Sequence, residues 1–144
     1  MIKEALDVYG FPSTFGWDKT SFLAGGVDLF PARNAATVQL LLDEGAVILG
    51  KTNIPPFSSG PSDANASWAG PTLNGANPAF KPGTSSTGTG TAVAAGFAVW
   101  GMAEETGGSI QLPADAQSLV GLKTTCAPRP VHAALLRGRF AAGW

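Results

Sequence analysis

Two glycine-rich stretches hold the residues of this chain that could do chemistry. The first runs Lys81-Pro82-Gly83-Thr84-Ser85-Ser86-Thr87-Gly88-Thr89-Gly90-Thr91, and the second Glu104-Glu105-Thr106-Gly107-Gly108-Ser109-Ile110. Composition alone makes the first a flexible linker, because it holds little apolar surface to bury. The spacing from Gly83 to Gly88 fits a phosphate-binding loop, but Thr89 stands where that motif needs a lysine. A dinucleotide fingerprint fails as well: Gly88 and Gly90 fit, and Val93 occupies the third small position. A loop that opens a helix still gathers free backbone N–H groups, which suit an anion or a developing negative charge. The remaining chemistry is nucleophilic catalysis. Ser109 follows two glycines on a turn into a helix, where backbone amides can approach an oxyanion. By itself such a turn is more often a tight bend with a capping serine.

The chain's scarcities narrow the choice of base. There is one histidine, His132, and one cysteine, Cys126. A zinc site built from these residue types lacks ligands, and no internal disulfide is possible. No metal and no cofactor is expected. A serine nucleophile must use His132 or be served by a lysine or a carboxylate. With 144 residues, 44% of them hydrophobic, the chain is one domain's worth and can bury a core. The net charge of −1 and the absence of a basic cluster argue against nucleic acid or a membrane surface as partner. No apolar run approaches the ~18 residues that span a bilayer, and no secretory leader is visible. A cytosolic location is the default expectation.

These groups need a scaffold. In residues 33–50, Asn34 can cap a helix carrying Val38, Leu41 and Leu42 at helical spacing. Gly45 suits the left-handed residue at its end. Ala46–Leu49 then reads as a short strand covered on both faces. Residues 51–82 are rich in proline, asparagine, serine and glycine, and too long for an ordinary connection, so they are expected to be functional or disordered. Small residues from Thr91 to Ala95 predict a helix and Phe97–Met102 a buried strand. Beyond Ser109, a helix with Pro113 in its first turn precedes a strand at Val120–Thr125. Helix, glycine and buried strand in alternation predict an α/β fold.

The stretch from Lys81 to Thr125 resembles the amidase signature family. That family shows P-G-G-S-S-G-G-S, a small-residue helix, an apolar strand, G-T-D-x-G-G-S-I-R-x-P-A, and then V-G-L-K-P-T. Here these stand as Pro82–Thr89, Ala103–Ala114 and Val120–Thr125. Upstream, Arg33–Phe57 is similar to D-A-x-x-V-x-x-L-x-x-A-G-A-V-x-x-G-K-T-N-x-x-E-F, Gly70–Pro78 to G-x-T-x-N-P, and Ile2–Gly16 to V-K-D-x-x-x-V-x-G-x-P-T-T-x-G. The resemblance covers residues 2–125 in order.

It implies an α/β fold with a mixed central sheet flanked by helices, and amide hydrolysis through a Ser-Ser-Lys triad without histidine. Ser109 matches the nucleophile, Ser85 the bridging serine after a cis peptide bond, and Lys3 the base. The backbone N–H groups of Thr106, Gly107, Gly108 and Ser109 match the oxyanion hole. Lys51 is the more conspicuous lysine, but its motif is structural support in the family. A hydroxyl is a poor nucleophile until a base takes its proton, and lysine serves only when neutral, a form that burial favours.

Some positions depart from the family. Thr84 and Thr87 replace glycines and are expected to stiffen the loop around Ser85. Glu105 replaces aspartate and Gln111 replaces arginine, so an acid–arginine pair that could brace the nucleophile turn is expected to be absent or reduced to a neutral hydrogen bond. Thr124 stands for proline. Family members run to several hundred residues, so residues 1–125 are expected to be a truncated part of the domain. Residues 126–144 resemble nothing in the family and are expected to be disordered or read in another frame. Three functions follow. The preferred one is an amidase-type hydrolase acting on a small-molecule amide; the alternatives are an inactive fragment of one and the glutamine-hydrolysing subunit of a tRNA-dependent amidotransferase.

Overall fold

The computed structural model describes residues 1–59, 67–124 and 134–137. Among the described residues, five strands and three α-helices form the scaffold: β1 (Ile2–Lys3), α1 (Ala36–Asp43), β2 (Lys51–Thr52), α2 (Thr87–Ala94), β3 (Trp100–Ala103), α3 (Gln111–Ala116), β4 (Val120–Leu122) and β5 (Ala134–Arg137). The sheet order is β2-β1-β3-β5-β4. β1 lies parallel to β2 and β3, and β5 lies antiparallel to β3 and β4. The sheet is therefore mixed, as the family resemblance implies.

β1 is only two residues long, yet it sits at the centre of the parallel part. Its neighbours hold it through Ile2 N–H to Gly50 O (3.0 Å), Glu4 N–H to Thr52 O (3.1 Å) and Met102 N–H to Met1 O (2.8 Å). Successive side chains of a strand point to opposite faces. Ile2 enters a core with Val8, Val38 of α1 and Met102, while Lys3 is directed to the other face, toward the loop before α2. A second small core joins Ala103, Ile110 and Ala114, and so ties β3 to α3.

Helix α1 appears where the spacing predicts it, and Gly45 closes it at φ 83°. Its start differs. No side chain caps it, and Asn34 instead accepts from the Tyr9 amide at 2.7 Å and donates to Gln39. The strand expected at Ala46–Leu49 does not form. Val47 and Leu49 are 79% and 62% exposed and line an open apolar groove with Phe97 and Val99. Pairing with β1 starts only at Lys51, because the two-residue β1 offers no partner further back. Phe97–Val99 stay outside β3 for a related reason: Gly96, at φ 78°, turns the chain after α2, and the ladder begins at Trp100.

Two asparagines order much of the irregular stretch between β2 and α2. Asn53 Nδ2 donates to Gly70 O and Thr72 Oγ1. Asn74, almost fully buried, donates to Lys81 O (3.0 Å) and Ala116 O (2.8 Å) and accepts from the amides of Ala76 and Asn77. Asn74→Ala strands two carbonyls and two amides, so it is expected to cost about 3 kcal/mol in urea unfolding. Residues 60–66, Cys126, His132 and most of the tail lie outside the described residues. Among the described residues no helix is long and apolar enough to cross a membrane.

Candidate active site

Three elements converge on one line of polar atoms. β1 supplies Lys3, the loop before α2 supplies Ser85, and the turn between β3 and α3 supplies Ser109. Lys3 Nζ lies 2.7 Å from Ser85 Oγ, and Ser85 Oγ lies 2.8 Å from Ser109 Oγ. Lys3 and Ser85 are 0% and 1% exposed, whereas Ser109 is half-buried and reaches the surface. A lysine so near a terminus is ordinarily solvated. Here both flanking strands bond the backbone around it, and α2 covers its face of the sheet.

The loop around Ser85 is built from close approaches. The Thr84–Ser85 peptide bond is cis, and Gly83 takes φ 76°. A Cβ at Gly83 would lie 2.5 Å from Leu112 O, so the backbone can run against α3 only without a side chain. Gly88 is similarly required, since a Cβ there would lie 2.5 Å from Asn53 N. Neither Thr84 nor Thr87, which replace family glycines, takes a left-handed conformation, so neither strains the backbone there. Thr87 opens α2 and donates from Oγ1 to Asn53 O. The anion cradle expected at this helix start is occupied internally: the Ser86 amide donates to Ser109 O (3.2 Å) and the Gly88 amide to Asn53 O (3.0 Å). The first of these bonds ties the two serine-bearing loops directly to each other.

Glu105 braces the Ser109 turn. Its Oε2 accepts from the amides of Ile110 (2.7 Å) and Gln111 (2.8 Å), and its Oε1 from the Gln111 side chain. Partial burial pushes the carboxyl up, but these donors and the Gly108 amide outweigh it, and it sits below the ordinary glutamate value. The Glu105–Gln111 pair thus keeps the contact of an acid–arginine pair with a single charge. Of the four amides matched to an oxyanion hole, that of Gly108 faces this carboxylate. Those of Thr106, Gly107 and Ser109 lie outside the brace.

Burial lowers the proton affinity of Lys3 below that of an ordinary lysine, and the charges of Glu104 and Glu105 oppose the shift. Glu104 is the residue that sequence reasoning missed. Its Oε1 lies 3.3 Å from Lys3 Nζ and accepts from Ser58 Oγ at 3.3 Å. The signal was its charge: an acid stands where the resembling motif carries threonine. Lys51 is engaged elsewhere. Its Nζ lies 3.3 Å from Glu4 Oε1 and donates to Pro12 O and Ser13 Oγ, with no bond to either serine of the line. Glu4 also accepts from the Thr14 amide, so Lys51 clamps the segment after β1 onto β2. Among the described residues, no cluster of three His, Cys, Asp or Glu is placed to hold a metal ion.

The amidase family model matches residues 1–134. The chain belongs to the amidase family. Over 124 residues, 86% of its length, it is 43% identical to the A subunit of the glutamyl-tRNA(Gln) amidotransferase of Methanosarcina acetivorans, and covers 25% of that protein. It is 40% identical over 124 residues to the same subunit from Acidothermus cellulolyticus, covering 23% of it. The chain thus spans about a quarter of the length of the curated relatives it matches. Among solved structures, a crystal structure of an amidase superposes with a TM-score of 0.80 at 29% identity, covering 94% of this chain and 32% of that one. A 6-aminohexanoate cyclic dimer hydrolase bound to its substrate gives 0.81 at 26% identity, covering 94% and 30% respectively.

Proposed function

We propose that this site cleaves a carboxylic amide by acyl transfer through Ser109. The observation that carries the reading is the unbroken line Lys3 Nζ–Ser85 Oγ–Ser109 Oγ, with steps of 2.7 and 2.8 Å. As an ammonium, Lys3 donates to Ser85, which donates to Ser109. Once Lys3 is neutral the line reverses, and Ser109 donates to Ser85, which donates to Lys3. The Ser109 oxygen then attacks the amide carbon while its proton passes to the Ser85 oxygen and the Ser85 proton to Lys3. In this reading the amides of Thr106, Gly107 and Ser109, which the Glu105 brace leaves aside, receive the resulting oxyanion, and one such donor is typically worth about 10²–10³ in rate. Lys3 returns its proton through Ser85 to the departing nitrogen as the C–N bond breaks. A water molecule, deprotonated by the same route, then attacks the acyl carbon, and the acid departs as the proton returns from Lys3 through Ser85 to the Ser109 oxygen.

The curated relatives favour a second reading within the same chemistry. They carry the name of the A subunit of a glutamyl-tRNA(Gln) amidotransferase, so the amide becomes one whose released ammonia is passed on, and partner subunits become part of the function. The lack of a basic cluster in this chain does not bear on a tRNA held by other subunits. A panel of aliphatic, aromatic and peptide amides together with glutamine, assayed for ammonia or amine release, separates the readings. Turnover of simple amides supports the hydrolase, and turnover of glutamine alone supports the amidotransferase role. Release from none of them by the folded chain leaves the inactive-fragment reading.

A further inference from the structure

The acid beside the buried lysine has no part in the relay just described. Glu104 follows β3 immediately, and its backbone position is fixed by the same ladder that holds β1. Its carboxylate is 39% exposed and reaches inward, with Oε1 3.3 Å from the fully buried Lys3 Nζ. Ser58, on the short turn after β2, donates to that same oxygen. The backbone of Ser58 is left-handed, at φ 57°. Two elements from either side of β1 therefore aim one charge at one amine.

We propose that Glu104 is a positioning residue for Lys3, the counter-charge that orients the buried amine beside Ser85 and sets how firmly it keeps its proton. The surroundings of Lys3 make this a one-partner problem. Helix α2, over its face of the sheet, carries no ionisable side chain. On β2, Lys51 is committed to Glu4. Glu105 lies close enough to act through space, but its oxygens are bound to the Ser109 turn. Lys123 reaches the same turn and donates to Thr106 O instead. Among the described residues, Glu104 is left as the single acid in direct contact with the amine.

The consequence rests on the reading of Lys3 as base. A neighbouring carboxylate favours the ammonium, so it raises the pH at which Lys3 becomes a competent acceptor. It also stabilises the ammonium that forms when Ser109 attacks. Removing the charge therefore has opposite effects at the two ends of the pH profile. More of the lysine is neutral at low pH, and each neutral lysine is a weaker base. In Glu104→Gln the alkaline limb of kcat/KM moves to lower pH. Activity at its foot rises about three- to tenfold, while the plateau falls by a smaller factor. A merely structural role would lower the whole profile in parallel.

The test titrates Lys3 directly by NMR of the full chain labelled at the lysine side chains, in wild type, Glu104→Gln and Glu104→Asp. The expected result is a Lys3 midpoint that falls in the glutamine variant and is largely restored by aspartate. An unchanged or raised midpoint in Glu104→Gln overturns the proposal. Glu104→Thr serves the same purpose should the glutamine variant not fold. Because the midpoint is read without substrate, this outcome is independent of whether any amide is hydrolysed, which tests the proposed function separately.

Discussion

Lys3→Met is expected to lower amide hydrolysis by about 10³-fold at pH 8 while leaving the chain folded. A positioned general base contributes typically about 10²–10⁴, and among the described residues this line has no other acceptor at its end. Methionine fills the same buried volume without an amine whose burial disfavours its charge, so unfolding by urea is expected to be unchanged or harder. Lys51→Met should show the reverse pattern. It leaves the buried Glu4 carboxylate without its cation, a loss of about 3 kcal/mol in stability, and it touches neither serine. Activity per folded molecule should survive it far better than it survives Lys3→Met. Loss of activity in the Lys51 variant with retention in the Lys3 variant would reassign the base. The pH dependence follows from the same environment. Because burial lowers the proton affinity of Lys3, its neutral form grows in below the ordinary lysine range. Activity should therefore climb through an alkaline limb, whereas a profile flat from about pH 5 to 9 would contradict a lysine base.

Ser109→Ala is expected to remove about 10⁴–10⁶ of kcat, since among the described residues no other hydroxyl ends the line. Ser85→Ala should lose about 10²–10⁴, because the bridge between steps of 2.7 and 2.8 Å disappears and the amine cannot span the gap. Most informative is the double variant Lys3→Met/Ser85→Ala. Residues that act as a unit are strongly non-additive, so it should be scarcely slower than either single variant. Additive losses measured in the same assay would mean that the two residues act independently.

How much of this was legible in the sequence depends on the residue. Helix α1 was readable because Val38, Leu41 and Leu42 repeat at helical spacing and Gly45 ends the run in the left-handed conformation. The strand expected at Ala46–Leu49 was not, because an apolar run does not reveal which backbone will pair with it. Its partner β1 is two residues long and meets the chain only at Lys51. The glycines before Ser109 drew attention to it, but only the family resemblance matched it to a nucleophile. Lys3 was not readable from spacing at all, being 82 residues from Ser85. Only the family resemblance connected them, and a lysine near a terminus gives no local sign that it will be buried. Thr84 and Thr87 stand where the family has glycine, but the positive φ of that loop falls on Gly83. Glu104 escaped notice because glycines and hydroxyls marked the candidate loops, while its meaning lies in a contact with a strand 101 residues earlier.

Reaction with a serine-directed fluorophosphonate, followed by peptide mass mapping of the folded chain, tests the central claim most directly. The account predicts one adduct, on Ser109, that is absent from Ser109→Ala and forms much more slowly in Lys3→Met. A folded chain that takes no label at Ser109, or that labels equally well in the Ser109→Ala variant, would contradict it.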